Sequence, residues 1–519
     1  MSSHARIAAA ARGAPRPARV AASAVPGLVL ALGGITAMAA PDLRLRIEPS
    51  LSAGVSTINR YRSDAEDRTR SKAVATVTPG LRFRVDNRGG RVQASVDYGL
   101  SAVVYPTELE ESRLRNRLSG RVRAELIENH LDLNLTGSIS RQPVSIFGRQ
   151  TDNDSAIDEN QSEVRNFSIQ PVLRGVLGGV VALRASATAG FSDASRQGFR
   201  STGQSASLAL SPARAARLGW SLSGTRRISD FQGGRETISD RVVAGVSFRP
   251  DVDWLLSVRS GWERTDIASL RSQSYDNWGA GVVWTPNPRT SVSVDGDRRF
   301  FGNSYGVSVR HRHKRTVWSY SASRGIGESV GEGAIAVRAY DLFFELFASQ
   351  EPDPERRDQL VRDFLDRNGI APETVIGGLG FLVRAASLQE RHQLSMGMSF
   401  RRASLSASVY ASRSERIDTI SGAIDDLSRG AVRQQGMSVG MGYSLSPRDS
   451  VSLRASASRT DPSGDRPSSS LVSAALSWSK RLSDRTSFSL GLRHTVYDRA
   501  NQDDYTDTAL TTALRTSFF

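Results

Sequence analysis

The feature that most constrains this chain is a period of two. Leu43, Leu45, Ile47, Leu51, Ala53 and Val55 alternate with Arg44, Arg46, Glu48, Ser50, Ser52 and Ser56. Leu131, Leu133, Leu135 and Ile139 alternate in the same way with Asp132, Asn134, Thr136 and Ser138. So do the runs through Trp254, Leu256, Val258 and Trp262, and through Met437, Val439, Met441, Tyr443 and Leu445. Alternation of this kind places one face of a strand in an apolar medium and the other in a polar one. The segments run to roughly ten to thirteen residues, which is the reach needed to cross a bilayer at a tilt, whereas strands of soluble sandwiches are nearer five or six.

The connections carry a second pattern. One set is tight: Asn87–Gly90, Glu128–His130, Gly178–Gly179, Pro250–Asp253, Pro286–Arg289, Pro447–Asp449 and Ser483–Arg485. Gly, Pro, Asn and Asp supply the backbone angles that such turns need. The other set is long and polar: Asn59–Lys72, Thr107–Asn116, Gln142–Glu163, Ser192–Thr202, Thr265–Ser274, Arg413–Gln434 and Tyr497–Asp507. Short turns at one end and long loops at the other describe an outer-membrane barrel. The expected fold is therefore all-β: a transmembrane antiparallel β-barrel of about 22 strands, within a range of roughly 20–24, carrying a short helical insertion.

Composition removes most alternatives. The chain has no cysteine, so disulfide frameworks, thiolate metal sites and thiol nucleophiles are excluded. Beyond the first forty residues no apolar run of eighteen or more occurs, so no helical span is expected. The N-terminus has Arg6, Arg12, Arg16 and Arg19, an apolar stretch from Val20 to Leu32, and Ala37-Met38-Ala39. That order is a Sec signal peptide over 1–39, leaving a barrel over 40–519 in the outer membrane of a Gram-negative cell. At the other end Phe518 and Phe519 close an alternating strand, the form of signal read by the barrel-assembly machinery.

Residues 325–387 do not alternate. Tyr340–Phe347 is dense in aromatics, and Pro352-Asp353-Pro354 sets an N-cap and a first-turn proline. Leu360, Val361, Phe364 and Leu365 share one helical face, and Asn368-Gly369 ends it. The spacing predicts a helical pair, placed as a lumen plug or as an extracellular element.

Several stretches resemble the outer-membrane barrels associated with the PEP-CTERM/exosortase system. The resemblance is carried by Arg46–Val55, Val77–Gly80, Gly89–Arg91 through Asp97-Tyr98, Glu125–Glu128 and Ser138–Gln142. It is most specific in Phe347–Gln350, Pro352–Pro354 and Phe364–Ile370. Such a resemblance implies a conduit or envelope component linked to exopolysaccharide export or that sorting system, and it brings no catalytic residues. A general porin, an outer-membrane enzyme of the lipase or acylase kind, and a structural or adhesive barrel stand as alternatives.

Chemistry-bearing motifs are sparse. Gly436-Met437-Ser438-Val439-Gly440 matches G-x-S-x-G, but alternation continues straight through it, where a nucleophile elbow needs a strand-to-helix turn. His311 and His313 form half a metal site at best, beside Arg310 and Arg315. No catalytic, metal or cofactor residues are expected, and no cofactor.

The polar phase says more. Arg44, Arg46, Arg82, Arg84, Arg121, Arg123, Arg184, Arg259, Arg454 and Arg493 all fall opposite the apolar residues, as do Arg174 and Arg310. Fewer acids share that phase: Glu48, Asp97, Glu125, Asp132, Glu263, Asp295 and Asp297. These arginines are expected to line a wet lumen, either paired into structural ladders or as a surplus favouring anions such as acidic glycans. The expected partners are outer-membrane lipids and lipopolysaccharide, the barrel-assembly machinery, and anionic polysaccharide or periplasmic export components. Nucleic acid is not among them, because the arginines are dispersed and the chain carries an export signal.

Overall fold

The computed structural model describes residues 44–62, 69–86, 91–107, 112–148, 160–195, 199–232, 234–327, 336–348, 350–367, 375–377, 380–418, 425–462, 467–499 and 502–518. The expected signal peptide, Asn368, Gly369 and Phe519 lie outside these residues. Twenty-two strands form one antiparallel sheet. In chain order they begin with β1 (Arg44–Arg62), β2 (Thr69–Asp86), β3 (Val92–Val104), β4 (Arg113–Ile127), β5 (Leu131–Pro143) and β6 (Gln161–Leu177). Then come β7 (Val181–Ala194), β8 (Phe199–Pro212), β9 (Leu218–Phe231), β10 (Thr237–Phe248), β11 (Trp254–Thr265) and β12 (Gln273–Asn287). Next are β13 (Thr290–Arg299), β14 (Gly302–Arg312) and β15 (Thr316–Gly327). A two-stranded ribbon of β16 (Ala336–Arg338) and β17 (Val375–Gly377) brackets two helices, α1 (Ala339–Phe347) and α2 (Pro354–Arg367). The barrel resumes with β18 (Ser387–Ser399), β19 (Ala403–Arg416), β20 (Val432–Ser444), β21 (Asp449–Pro462), β22 (Ser469–Arg481), β23 (Thr486–Arg499) and β24 (Gln502–Ser517).

Each strand pairs with the next, β15 pairs with β18 across the insertion, and β24 pairs with β1 to close the ring. Closure satisfies every ladder and leaves no edge, which is what a hydrocarbon medium demands. The sequence-derived strand number is met. The alternation sorts the faces as expected: Leu45, Val55, Leu81, Val258, Leu394, Met437, Leu453 and Leu510 all point outward and stay exposed. Among soluble proteins an apolar belt of this size would drive association; here it meets lipid.

Tryptophans fix the height of that belt. Trp254 stacks on its cross-strand partner Trp284, with ring centroids 5.5 Å apart, beside the short turns. Trp262 lies on the same strand as Trp254, at a spacing that spans ~26 Å along the strand and roughly 20 Å of height at a usual barrel tilt. Both rings face out. They mark the two interfacial girdles of an outer-membrane protein.

The tight turns form where the residues ask for them. Asn129, Gly178 and Gly179 take positive φ values of 58°, 57° and 74°, a region closed to most side chains. The long-loop set needs correction. The strands run through Arg62, Thr69, Ala194, Phe199, Arg499 and Gln502, so Asn59–Lys72, Ser192–Thr202 and above all Tyr497–Asp507 are mostly ladder. Above the lipid the outer face meets water, so polar residues continue a strand without alternation. Absence of a period there does not end the pairing.

Candidate functional site

The inner face of the barrel and the elements lodged in it form the site. Strand alternation decides which residues face inward. Trp318 points out, so its neighbour Val317 points in, and it is fully buried. Val317 packs into one apolar cluster with Ala339, Leu342, Phe343, Leu346 and Phe347 of α1 and Val361, Phe364 and Leu365 of α2. Opposite Val317, Gly397 of β18 leaves room for the hairpin: a Cβ there would stand 3.1 Å from Leu342 Cγ. Arg310 of β14 reaches Glu345 of α1 at 3.5 Å. All three wall positions lie near short turns, at the end of the barrel opposite the point where the insertion leaves it. The hairpin therefore descends from the long-loop end and docks deep in the lumen.

Local sequence explains the hairpin. Asp353 caps α2, its carbonyl accepting from Arg357 N at 2.9 Å, and Pro354 opens the helix. The i, i+3, i+4 set Val361, Phe364 and Leu365 faces α1. Phe364 meets Phe343 and Phe347 at 5.1 and 5.0 Å between centroids. Tyr340 donates to Asp358, which also holds Arg362 at 2.9 Å. Burial, and then the bond to Asp358, push the Tyr340 phenol above its ordinary value. The pair Asp358 and Arg362 faces Arg84 on β2, across the lumen from β15 and β18. Apart from Val317, the buried core of the hairpin is its own.

A second apolar segment lies at the long-loop end. Phe381, Leu382, Val383, Ala385 and Ala386 are all buried. Leu382 packs on inward-facing Val164, Ala194, Phe199 and Phe231 of β6 to β9. Ser387, five residues on, begins β18 on the opposing arc, and five residues reach at most about 18 Å. The two walls are bridged at that height. Phe381 and Val383 join Ile146, Phe147, Leu427 and Val432. Two adjacent aspartates latch this lid. Asp425 accepts from Arg384 N at 3.0 Å, and Asp426 accepts from Ser145 Oγ and Ile146 N at 2.9 and 2.7 Å. The Arg384 guanidinium lies 4.0 Å over the Phe199 ring, and Tyr497 donates to Phe147 O at 3.1 Å. Nothing in the sequence marks the lid, because its residues are apolar at no fixed period and are buried only by strands far away in the chain.

The ten arginines divide. Arg46 pairs with Glu48 at 2.6 Å. Arg82 pairs with Asp97 at 2.5 Å and Glu48 at 3.5 Å. Arg123 and Arg174 share Asp132. Arg259 holds Asp297 through Nε and Nη2 at 2.6 and 3.0 Å. Arg121 and Arg184 lie exposed on the inner face. Arg454 and Arg493 alternate with outward Leu453 and Leu492, and so take the inner phase. Arg44 opens β1, opposite Asp86. Sequence reading missed Arg241 and Arg299, whose roles come from register alone. Arg299 clasps Glu263, which is completely buried. Breaking a buried pair leaves an uncompensated charge at a cost of about 3 kcal/mol. Glu263→Gln should therefore lower the unfolding midpoint in urea, whereas Arg46→Gln, on an exposed pair, should leave it unchanged within error.

At the C-terminus Phe518 shares the outward phase of Leu510 and Leu514, and its N–H donates to Pro49 O at 3.0 Å. The enzyme-like motifs dissolve into the wall. Ser438 lies mid-strand between outward Met437 and Val439, with Ser408 and Ser456 beside it and no helix following. His311 bonds Thr290 Oγ1 at 2.9 Å. Among the described residues no three His, Asp or Glu gather as metal ligands.

No protein-family model and no curated protein matches the chain. Solved structures do match. The siderophore receptor PirA from Pseudomonas aeruginosa is 9% identical, over 90% of this chain and 80% of that one, with a TM-score of 0.41. The FrpB iron transporter from Neisseria meningitidis is also 9% identical, over 90% and 82%, at 0.44. OpdQ from Pseudomonas aeruginosa is 9% identical, over 91% and 98%, at 0.32. At such identities the likeness is one of fold. The resemblance to PEP-CTERM-associated barrels is corrected here: no family model supports it, and the solved structures that match bear other names. For the strand segments the physical reason is that alternation restricts a membrane strand to apolar residues on one face and Ser, Thr, Gly and Arg on the other, so short runs coincide; the helical segments are too short to carry a family assignment alone.

Proposed function

We propose that this outer-membrane barrel is a gated hydrophilic conduit, closed in the state described. The observation that carries the reading is the hairpin docked on inward-facing Val317 and Gly397 of a wall rich elsewhere in serine, threonine and arginine. A permanent plug would be expected to satisfy the wall it covers. Here Ser395, two residues from Gly397 on the same face of β18, has a buried hydroxyl oxygen with no hydrogen-bond partner among the described residues, at a cost that water would remove if the hairpin withdrew. The largely self-contained helical core lets the hairpin leave as a unit. The lid latched by Asp425 and Asp426 acts as a second barrier on the same insertion. An always-open general porin fits less well, since both obstructions sit in the path.

Planar-bilayer recording of the full-length protein tests this. The expected trace is mostly silent, with brief ohmic openings that prefer anions, because inward arginines such as Arg121 and Arg184 exceed the acids available to pair with them. Steady conductance from the first insertion would return the reading to a general porin. Complete silence in every variant that loosens the hairpin or lid would favour a scaffold. Cation preference in the open state would retire the arginine argument.

A further inference from the structure

One recess in the inner wall, over β9 to β13, is built differently from the rest. It is an open hollow of about 450 Å³ lined in part by Ser223, Arg241, Ser257, Arg259, Asp295 and Asp297 over a floor at Gly281. That volume is in the range of small-molecule sites. The glycines make it. A Cβ at Gly281 would stand 2.9 Å from Ser257 Oγ and 3.3 Å from Arg259 Nη1, and one at Gly306 would stand 2.7 Å from Asp295 Oδ1. A Cβ at Gly279 would collide with the Asp297 carboxylate. Where other barrel positions carry side chains, these three leave backbone, and the charged groups of neighbouring strands lie flat across the gap.

The charges are balanced but not mutually consumed. Asp297 takes both Arg259 bonds and stands 3.6 Å from Arg241. Arg241 keeps a buried Nε without an acceptor. Asp295 touches Arg259 only at 3.7 Å, and its side chain is 49% exposed. The recess therefore presents the guanidinium groups of Arg241 and Arg259 at one end, an available carboxylate at the other, and serine hydroxyls between them. A plain anion would be repelled by Asp295, and a plain cation by the arginines. We infer that the recess binds small zwitterions of amino-acid to dipeptide size, the ligand's carboxylate on Arg241 and Arg259 and its ammonium on Asp295. The inference rests on the conduit reading for its purpose, as a resting point along the lumen, but not for its test.

Saturation-transfer NMR on the detergent-solubilised full-length protein reads binding without conduction. Glycylglycine should receive saturation, while acetate, methylammonium and glycerol at equal concentration should receive little. Asp295→Asn should weaken glycylglycine binding about tenfold, the loss of one charge-assisted contact. Asp295 is half exposed, so this variant keeps the fold; Arg241→Gln should act in the same direction. No transfer to glycylglycine would overturn the inference. So would equal transfer to acetate or glycerol, or an Asp295→Asn variant that binds as before. Binding in a protein that never conducts would sink the conduit and keep the site; conduction without binding would do the reverse.

Discussion

A protein lacking both obstructions should conduct steadily. Deletion of residues 340–370 combined with Asp425→Ala and Asp426→Ala is expected to turn rare openings into continuous ohmic current, with mean conductance raised roughly tenfold or more. Each change alone should do much less. Removing the hairpin leaves Phe381 to Ala386 across the outer mouth, and unlatching the lid leaves α1 and α2 on Val317. Two barriers in series multiply, so the test is the excess of the combined variant over the single ones. If the deletion alone gives full conductance, the lid is not a barrier. If the combined variant stays silent while running as a heat-modifiable barrel in gels, the gating account fails.

The second large effect concerns the hairpin itself. Phe364 is the ring on which Phe343 and Phe347 converge. Phe364→Ala should destabilise the α1–α2 unit by about 3–5 kcal/mol, the usual cost of emptying an aromatic site in a packed core. A unit of this size has little stability to spare. The expected outcome is rapid proteolysis within 340–367, more frequent openings, and an unchanged barrel, since among the described residues Val317 is the one barrel side chain in that buried apolar cluster. The opposite manipulation exploits the cysteine-free chain. A Leu342→Cys, Gly397→Cys pair is the sole thiol pair, and the 3.1 Å approach at this point suits a disulfide. Oxidation should silence the bilayer trace and reduction should restore it. Openings that persist in the oxidised protein would show that the path avoids the hairpin.

The arginine ladders bear on how these experiments are read. Arg82 and Arg123 are held by acids on adjacent strands, and Arg259 by Asp297 two strands away, so removing any one of them tests a structural pair as much as a permeation charge. Arg121 and Arg184 are the better probes of selectivity, because the cost of substituting an exposed side chain is small. Their replacement by Gln should reduce anion preference without moving the unfolding midpoint.

The sequence by itself determined the barrel. A period of two sustained over membrane-spanning lengths leaves one face for lipid and one for water, and Trp254, Trp262 and Phe518 fell on the face their positions required. It also determined the helical pair, since the caps at Asp353 and Pro354 and the spacing of Leu360, Val361, Phe364 and Leu365 are local signals. Only the tertiary structure decided where that pair sits, that Phe381 to Ala386 pack against strands far away in the chain, and that Arg241, Arg259, Asp295 and Asp297 meet over a glycine floor. These depend on register and on which arcs of the ring oppose each other. Such facts arise when distant strands pair, and neighbouring residues in the chain hold no record of them.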